Sequence, residues 1–140
     1  MDEFEVFPDV FYIHKIDHRN NSQEKSQWTI SQIEEKECFK CSLIFNWNEP
    51  AYTSWGLHFE DNKVVYLGKS AENEPDLSLL FIAKFVDSTQ NNKWHGYPAN
   101  PGGQKQQDIP PVSVLKDWGK KQYLRQAVIR KLNKGQKCRL

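Results

Sequence analysis

Residues 38–47 read CFKCSLIFNW. Phe39, Cys41, Leu43, Phe45 and Trp47 occupy every second position, with Lys40, Ser42 and Asn46 between them, and only Ile44 breaks the rule. Successive side chains of a strand point to opposite faces, so the alternation predicts a half-buried strand. A strand here commits the chain on either side of it to a sheet.

Downstream, Trp55, Leu57 and Phe59 repeat the period, then Asp61-Asn62 and Lys63 to Leu67 end at Gly68. This predicts a hairpin with Asx chemistry at its turn. His58 falls on the polar side of that hairpin and is expected to be a solvated strand residue. Upstream, Val10 to Ile16 (VFYIHKI) and Gln27 to Ile33 are further strands, separated by a polar loop at 18–27. Residues 69–76 (KSAENEPD) read as a polar loop. In 76–86, Pro75 and Asp76 could open a helix, but Phe81, Phe85 and Val86 favour a strand.

Residues 87–111 hold Gly96, Gly102, Gly103, Pro98, Pro101, Pro110 and Pro111, a density of breakers that predicts a loop throughout. A loop of that length in a small domain points to function. Beyond it the chain is helical. Pro111 suits a first turn, Val112, Leu115 and Trp118 recur at helical spacing, and Gly119 closes the helix. A second helix runs from about Gln122 to Asn133, buries Leu124, Val128 and Leu132, and stops at Gly135. The expected fold is α+β. An antiparallel sheet of about five to six strands (10–86) precedes the long loop (87–110) and a helical tail (111–135), whose two helices pack on one face. All of it forms one domain spanning 1–140.

Composition supports a globular chain: 140 residues, 26% charged and 13% aromatic. The N-terminus is acidic, without the basic and apolar regions of a secretion signal. The longest apolar run, Leu79 to Val86, is interrupted by Lys84 and falls far short of the ~20 residues a membrane span needs. Three cysteines, an odd number, do not make a closed disulfide framework. A cytoplasmic protein without membrane association is expected.

Charge is segregated. Residues 1–37 carry nine acidic and four basic side chains, net −5; residues 38–115 carry eight and six, net −2; from Lys116 onward there are nine basic residues and one acidic, net +8. Such asymmetry speaks to partners rather than to fold.

Among chemical motifs, His14-x3-His18 and Cys38-x2-Cys41 form a four-ligand set of zinc type. A strand through Cys41 would send the two thiols to opposite faces, so neither metal nor any other cofactor is expected. There is no GxSxG elbow and no P-loop. Lys93-Trp94-His95-Gly96-Tyr97-Pro98 puts two aromatic rings, an imidazole and an ammonium inside six residues, suited to stacking and to proton transfer. In the tail, Arg130 and Lys134 fall opposite Leu124, one turn apart, free to meet phosphates. A helix-turn-helix register centred on Gly119 fits poorly, because it puts Lys120 and Arg125 at positions that should be apolar.

The sequence thus predicts a non-catalytic protein that binds an anionic partner, nucleic acid or an acidic protein surface. The residues expected to do so are Trp94, His95, Tyr97, Lys120, Lys121, Arg125, Arg130, Lys134 and Lys137. The alternatives are a metal-independent, toxin-like ribonuclease, with His95 as acid or base beside Tyr97, Lys93, Arg125 and Arg130, and an inhibitor or immunity-type protein that blocks one protein partner.

Overall fold

The computed structural model describes residues 3–72, 78–103 and 106–140. Its strands are β1 (Glu3–Phe7), β2 (Val10–Ile13), β3 (Gln27–Trp28), β4 (Thr53–Gly56), β5 (His58–Glu60), β6 (Lys63–Val65), β7 (Gly68–Lys69), β8 (Leu79–Leu80), β9 (Ile82–Val86) and β10 (Lys93–Ala99). The helices are α1 (Gln32–Ile44), α2 (Val112–Lys120) and α3 (Gln126–Asn133), with short 3-10 turns at Ile16–His18, Pro101–Gly103 and Gln106–Asp108. The main sheet has the order β1-β2-β10-β9-β4; β3-β7-β8 forms a second sheet and β5-β6 a hairpin. Pairing is antiparallel except between β2 and β10. The α+β class, the hairpin and the two C-terminal helices are as the sequence predicts. Part of the loop expected at 69–76 and the first residues of 76–86 lie outside the described residues. No described helix is long and apolar enough to cross a membrane.

The decisive stretch is a helix, not a strand. Ser31 Oγ accepts from the Glu34 N–H (3.1 Å) while Glu34 Oε1 accepts from the Ser31 N–H (2.9 Å), closing a capping box. Once the first turn is fixed, the buried residues follow helical spacing: Glu35, Cys38, Phe39 and Ser42 face inward, and Ile44 is exposed. The second strand expected at 27–33 is therefore cut to Gln27–Trp28. Cys38 and Cys41 sit one helical turn apart, so the separation argued from a strand does not hold. Both are free thiols, and burial pushes the Cys38 thiol up.

A second correction concerns 87–111, where Lys93–Ala99 is a seven-residue strand in the main sheet. Gly96 belongs there because a Cβ on it would lie 2.3 Å from a Phe85 ring carbon. Pro98 is tolerated by direction. Its carbonyl accepts from Ser26 Oγ (2.8 Å) rather than from β9, so its nitrogen also points away from β9, past the end of the β2 pairing at Lys93 and Trp94.

Cross-strand partners share a face. Tyr12, Trp94, Gly96, Phe85, Ala83 and Ser54 line one side of the main sheet, where the Phe39 ring of α1 meets Tyr12, Phe85 and Trp94 at centroid distances of 5.1, 5.3 and 5.4 Å. The other side carries His95, Tyr97, Ala99, Lys84, Ile82 and Trp55. On it Trp55, Ile82 and Ala99 pack with Val114, Leu115, Trp118, Leu124, Val128 and Leu132 of the C-terminal region. Val112, expected in that stripe, is exposed, and α3 starts at Gln126 with Arg125 as its N-cap.

Candidate functional site

β10 presents Lys93, His95 and Tyr97 on one face and seats Trp94 in the core, where it is 7% exposed. Of the four residues expected to form an aromatic recognition loop, three are therefore strand positions on the half-buried side. Each has its own partner. Lys93 Nζ is 3.2 Å from a Glu3 carboxylate oxygen. His95 Nε2 lies 3.5 Å from Ser88 Oγ, and burial lowers the pKa of its imidazole, with Lys15 and His18 adding to the effect. The Tyr97 hydroxyl donates to Asp108 Oδ1 (2.8 Å); burial first, then Asp108, pushes the phenol up, so it stays a donor.

The His18 ring stacks on Tyr97 at 5.3 Å and an interplanar angle of 18°. Its Nδ1 is 2.8 Å from the Ser26 carbonyl, which can only accept, so Nδ1 carries the proton and Nε2 is the acceptor of the neutral ring. Burial lowers the His18 pKa and favours that neutral form. Asp108 Oδ2 accepts from the Asn100 N–H (2.9 Å), and Lys84, paired with Tyr97 across the strands, donates to the Gln107 carbonyl. His18, Tyr97, Asp108 and Gln107 line a cleft of ≈ 270 Å³ together with Glu24, Lys25 and Ser26. The arrangement offers one neutral imidazole acceptor and a set of fixed donors.

The tail residues separate into three groups. Lys121 is a clamp: its Nζ is 2.9 Å from Asp117 Oδ2, which also accepts from Trp47 Nε1 (2.7 Å), and it lies 4.5 Å from the Phe45 ring centroid. Lys120, Arg125, Arg130 and Lys134 are exposed, and Arg130, Lys131 and Lys134 crowd the C-terminal end of α3, where cations complement the helix dipole. Lys131, Lys137 and Arg139 line a cleft of ≈ 550 Å³ with Tyr66, Leu79 and Cys138. Arg125 belongs to another cleft, with Phe59, Lys63 and Val64. No described contact joins His95 to Arg125 or Arg130.

Sequence reasoning missed two polar centres. Glu35, 1% exposed, accepts from Arg19 Nε (3.0 Å) and Nη2 (2.8 Å) and from the Tyr12 hydroxyl, with His14 Nδ1 3.2 Å away but off the line of a hydrogen bond. His58, expected in solvent, is 9% exposed and faces Glu34 and Glu60. The spacing His58-x-Glu60 on one strand face is the only signal in the sequence for the second centre; Glu34 reaches it from α1, a contact no local pattern records.

No family model, curated protein or solved structure matches the chain.

Proposed function

We propose that the chain is a non-catalytic binding protein that holds an anionic partner, nucleic acid or an acidic protein surface, on its basic C-terminal region. The observation that supports this reading is the cleft where Lys131, Lys137 and Arg139 surround Tyr66. Three cationic side chains around one aromatic ring suit a phosphate or carboxylate partner that also offers a flat group to stack. The segment from Lys116 onward, net +8, supplies longer-range attraction, and the −5 N-terminal region sets the orientation of approach. With Trp94 in the core, the tail carries the recognition, and His95 and Tyr97 lend it support through the sheet.

Fluorescence anisotropy with labelled single-stranded RNA, duplex DNA and polyglutamate tests the reading. Binding to at least one of them should weaken steeply with salt, and Lys131→Glu with Arg139→Glu should lower the log–log slope by about 1.5–2 if phosphates are the contacts. Arg130→Glu with Lys134→Glu should weaken it less. Absence of binding to all three at low salt defeats the proposal. Cleavage of the RNA, abolished by His95→Ala, would replace it with the ribonuclease reading.

A further inference from the structure

The cluster at the junction of α1 and the β5-β6 hairpin has the form of a metal site. His58 and Glu60 lie two apart on β5 and so share a face, and Glu34 arrives from the first turn of α1. His58 Nε2 stands 3.2 Å from Glu34 Oε2 and 3.6 Å from Glu60 Oε1, and one ligand atom from each residue lies within 4.8 Å of the others. Bonds of 2.0–2.1 Å to a tetrahedral ion place neighbouring ligand atoms about 3.3 Å apart. The two measured contacts of His58 straddle that spacing.

The second observation is the state of His58 itself. The residue is 9% exposed, yet its Nε2 has no hydrogen-bond partner among the described residues. A charged imidazole making an ordinary ion pair would aim its N–H at one oxygen; here neither carboxylate completes a hydrogen bond. An unpaired buried nitrogen costs about 1–3 kcal/mol, and a cation between the three groups would remove that cost. Glu34 is prepared for the role. The capping box occupies its Oε1 and leaves Oε2 turned to His58, as an outer partner orients a metal-bound carboxylate. Its hydrogen bonds to Ser31 also hold the carboxyl below its ordinary range, so it is ionised.

We propose that His58, Glu34 and Glu60 bind one divalent transition-metal ion of the zinc type, tying the start of α1 to the β5-β6 hairpin. An imidazole nitrogen with two carboxylate oxygens suits zinc, cobalt or manganese rather than magnesium, whose preference is for oxygen alone. Three protein ligands leave a fourth position, and the Glu60 and Glu34 side chains, 63% and 42% exposed, open it to water.

The test uses the full chain, stripped with EDTA, desalted and titrated with ZnCl2, CoCl2 and MgCl2 by calorimetry and absorption. One equivalent of zinc and of cobalt should bind, magnesium should not, and the cobalt complex should lack thiolate charge-transfer absorption. Zinc should raise the melting temperature. Glu60→Gln alters an exposed side chain, so it should fold as the parent does while binding zinc about ten-fold more weakly or worse. Glu34→Gln should do the same with its helix intact, because glutamine also closes a capping box. A parent that binds no zinc overturns the proposal. So does zinc affinity unchanged in both variants, or a thiolate band assigning the metal to Cys41 or Cys138.

Discussion

The helix on one face of the main sheet and the helix pair on the other are held by different physics. α1 turns Glu35, Cys38, Phe39 and Ser42 inward. Its docking is directional: Glu35 is met by Arg19 and Tyr12, and Ser42 Oγ accepts from Ser54 Oγ of β4 at 2.6 Å while donating to Phe39 O at 2.6 Å. α2 and α3 with the turn between them bury Val114, Leu115, Trp118, Leu124, Val128 and Leu132, all apolar, and their polar contact with Trp47 is peripheral. Area burial is indifferent to small shifts, whereas a buried carboxylate is not. The comparison teaches that α1 fixes the register of the fold and the C-terminal pair supplies bulk stability.

The sharpest way to break this contrast is Arg19→Met. It leaves Glu35 buried without its main cationic partner and should cost about 3–5 kcal/mol, read from urea unfolding. A loss under about 1 kcal/mol would mean the α1 side is no more directional than the other. Leu132→Met, a volume-conserving swap in the C-terminal core, should cost less than about 1.5 kcal/mol. A larger loss would show that this side is equally exacting.

Ser31→Ala removes the hydroxyl of the α1 capping box and should cost about 1 kcal/mol. Neither Pro111 nor Arg125, at the corresponding positions of α2 and α3, makes a side-chain cap bond, so substitution there should be milder.

The smallest effect is expected between the two helical layers, at His18. Burial holds its folded pKa below the unfolded value of about 6.5, so the unfolded chain takes up the proton more readily. Stability is complete above pH ~6.5 and declines as pH falls towards the depressed folded value. The slope is at most about 1.4 kcal/mol per pH unit for one proton. His95, lowered for the same reason, contributes in the same sense. Unfolding series between pH ~7 and ~5 should flatten in His18→Gln; an unchanged profile would return the effect to other groups.

How far these features were legible depends on whether their cause was local. Asp61 and Asn62, both at positive φ (52° and 65°), turn the hairpin as the sequence predicts, and the stripe of Leu124, Val128 and Leu132 packs as read. Gly135, at φ 67°, stops α3 as expected. The period-2 alternation of 38–47 misled because a helix can show it by chance over one or two turns. The signal that overrules it, Ser31 with Glu34 three residues on, lay just upstream. β10 was hidden by Gly96 and Pro98, which read as loop residues. The cause of each is a distant group, the Phe85 ring filling the space of a Cβ and Ser26 receiving a carbonyl that β2 does not reach. His58 was assigned to the correct strand and the wrong environment, since α1 covers the face that a lone hairpin would leave wet. The basic tail was visible as charge, but the cleft around Tyr66 needs the fold to bring residues 66 and 131–139 together.

The outermost strand has a bearing on how copies of the chain meet. Among the described strands β1 pairs only with β2, and its other edge carries unpaired backbone groups that could template a further strand. Glu3 and Glu5 alternate with Phe4 along it. A second copy adding itself antiparallel and centred on Phe4 would set Glu3 of each chain opposite Glu5 of the other, and like charges directly opposed repel. Such a pattern discourages sheet-to-sheet growth, and it leaves the exposed Phe4 ring, with Lys36 Nζ 4.3 Å from its centroid, shielded by cationic as well as anionic neighbours.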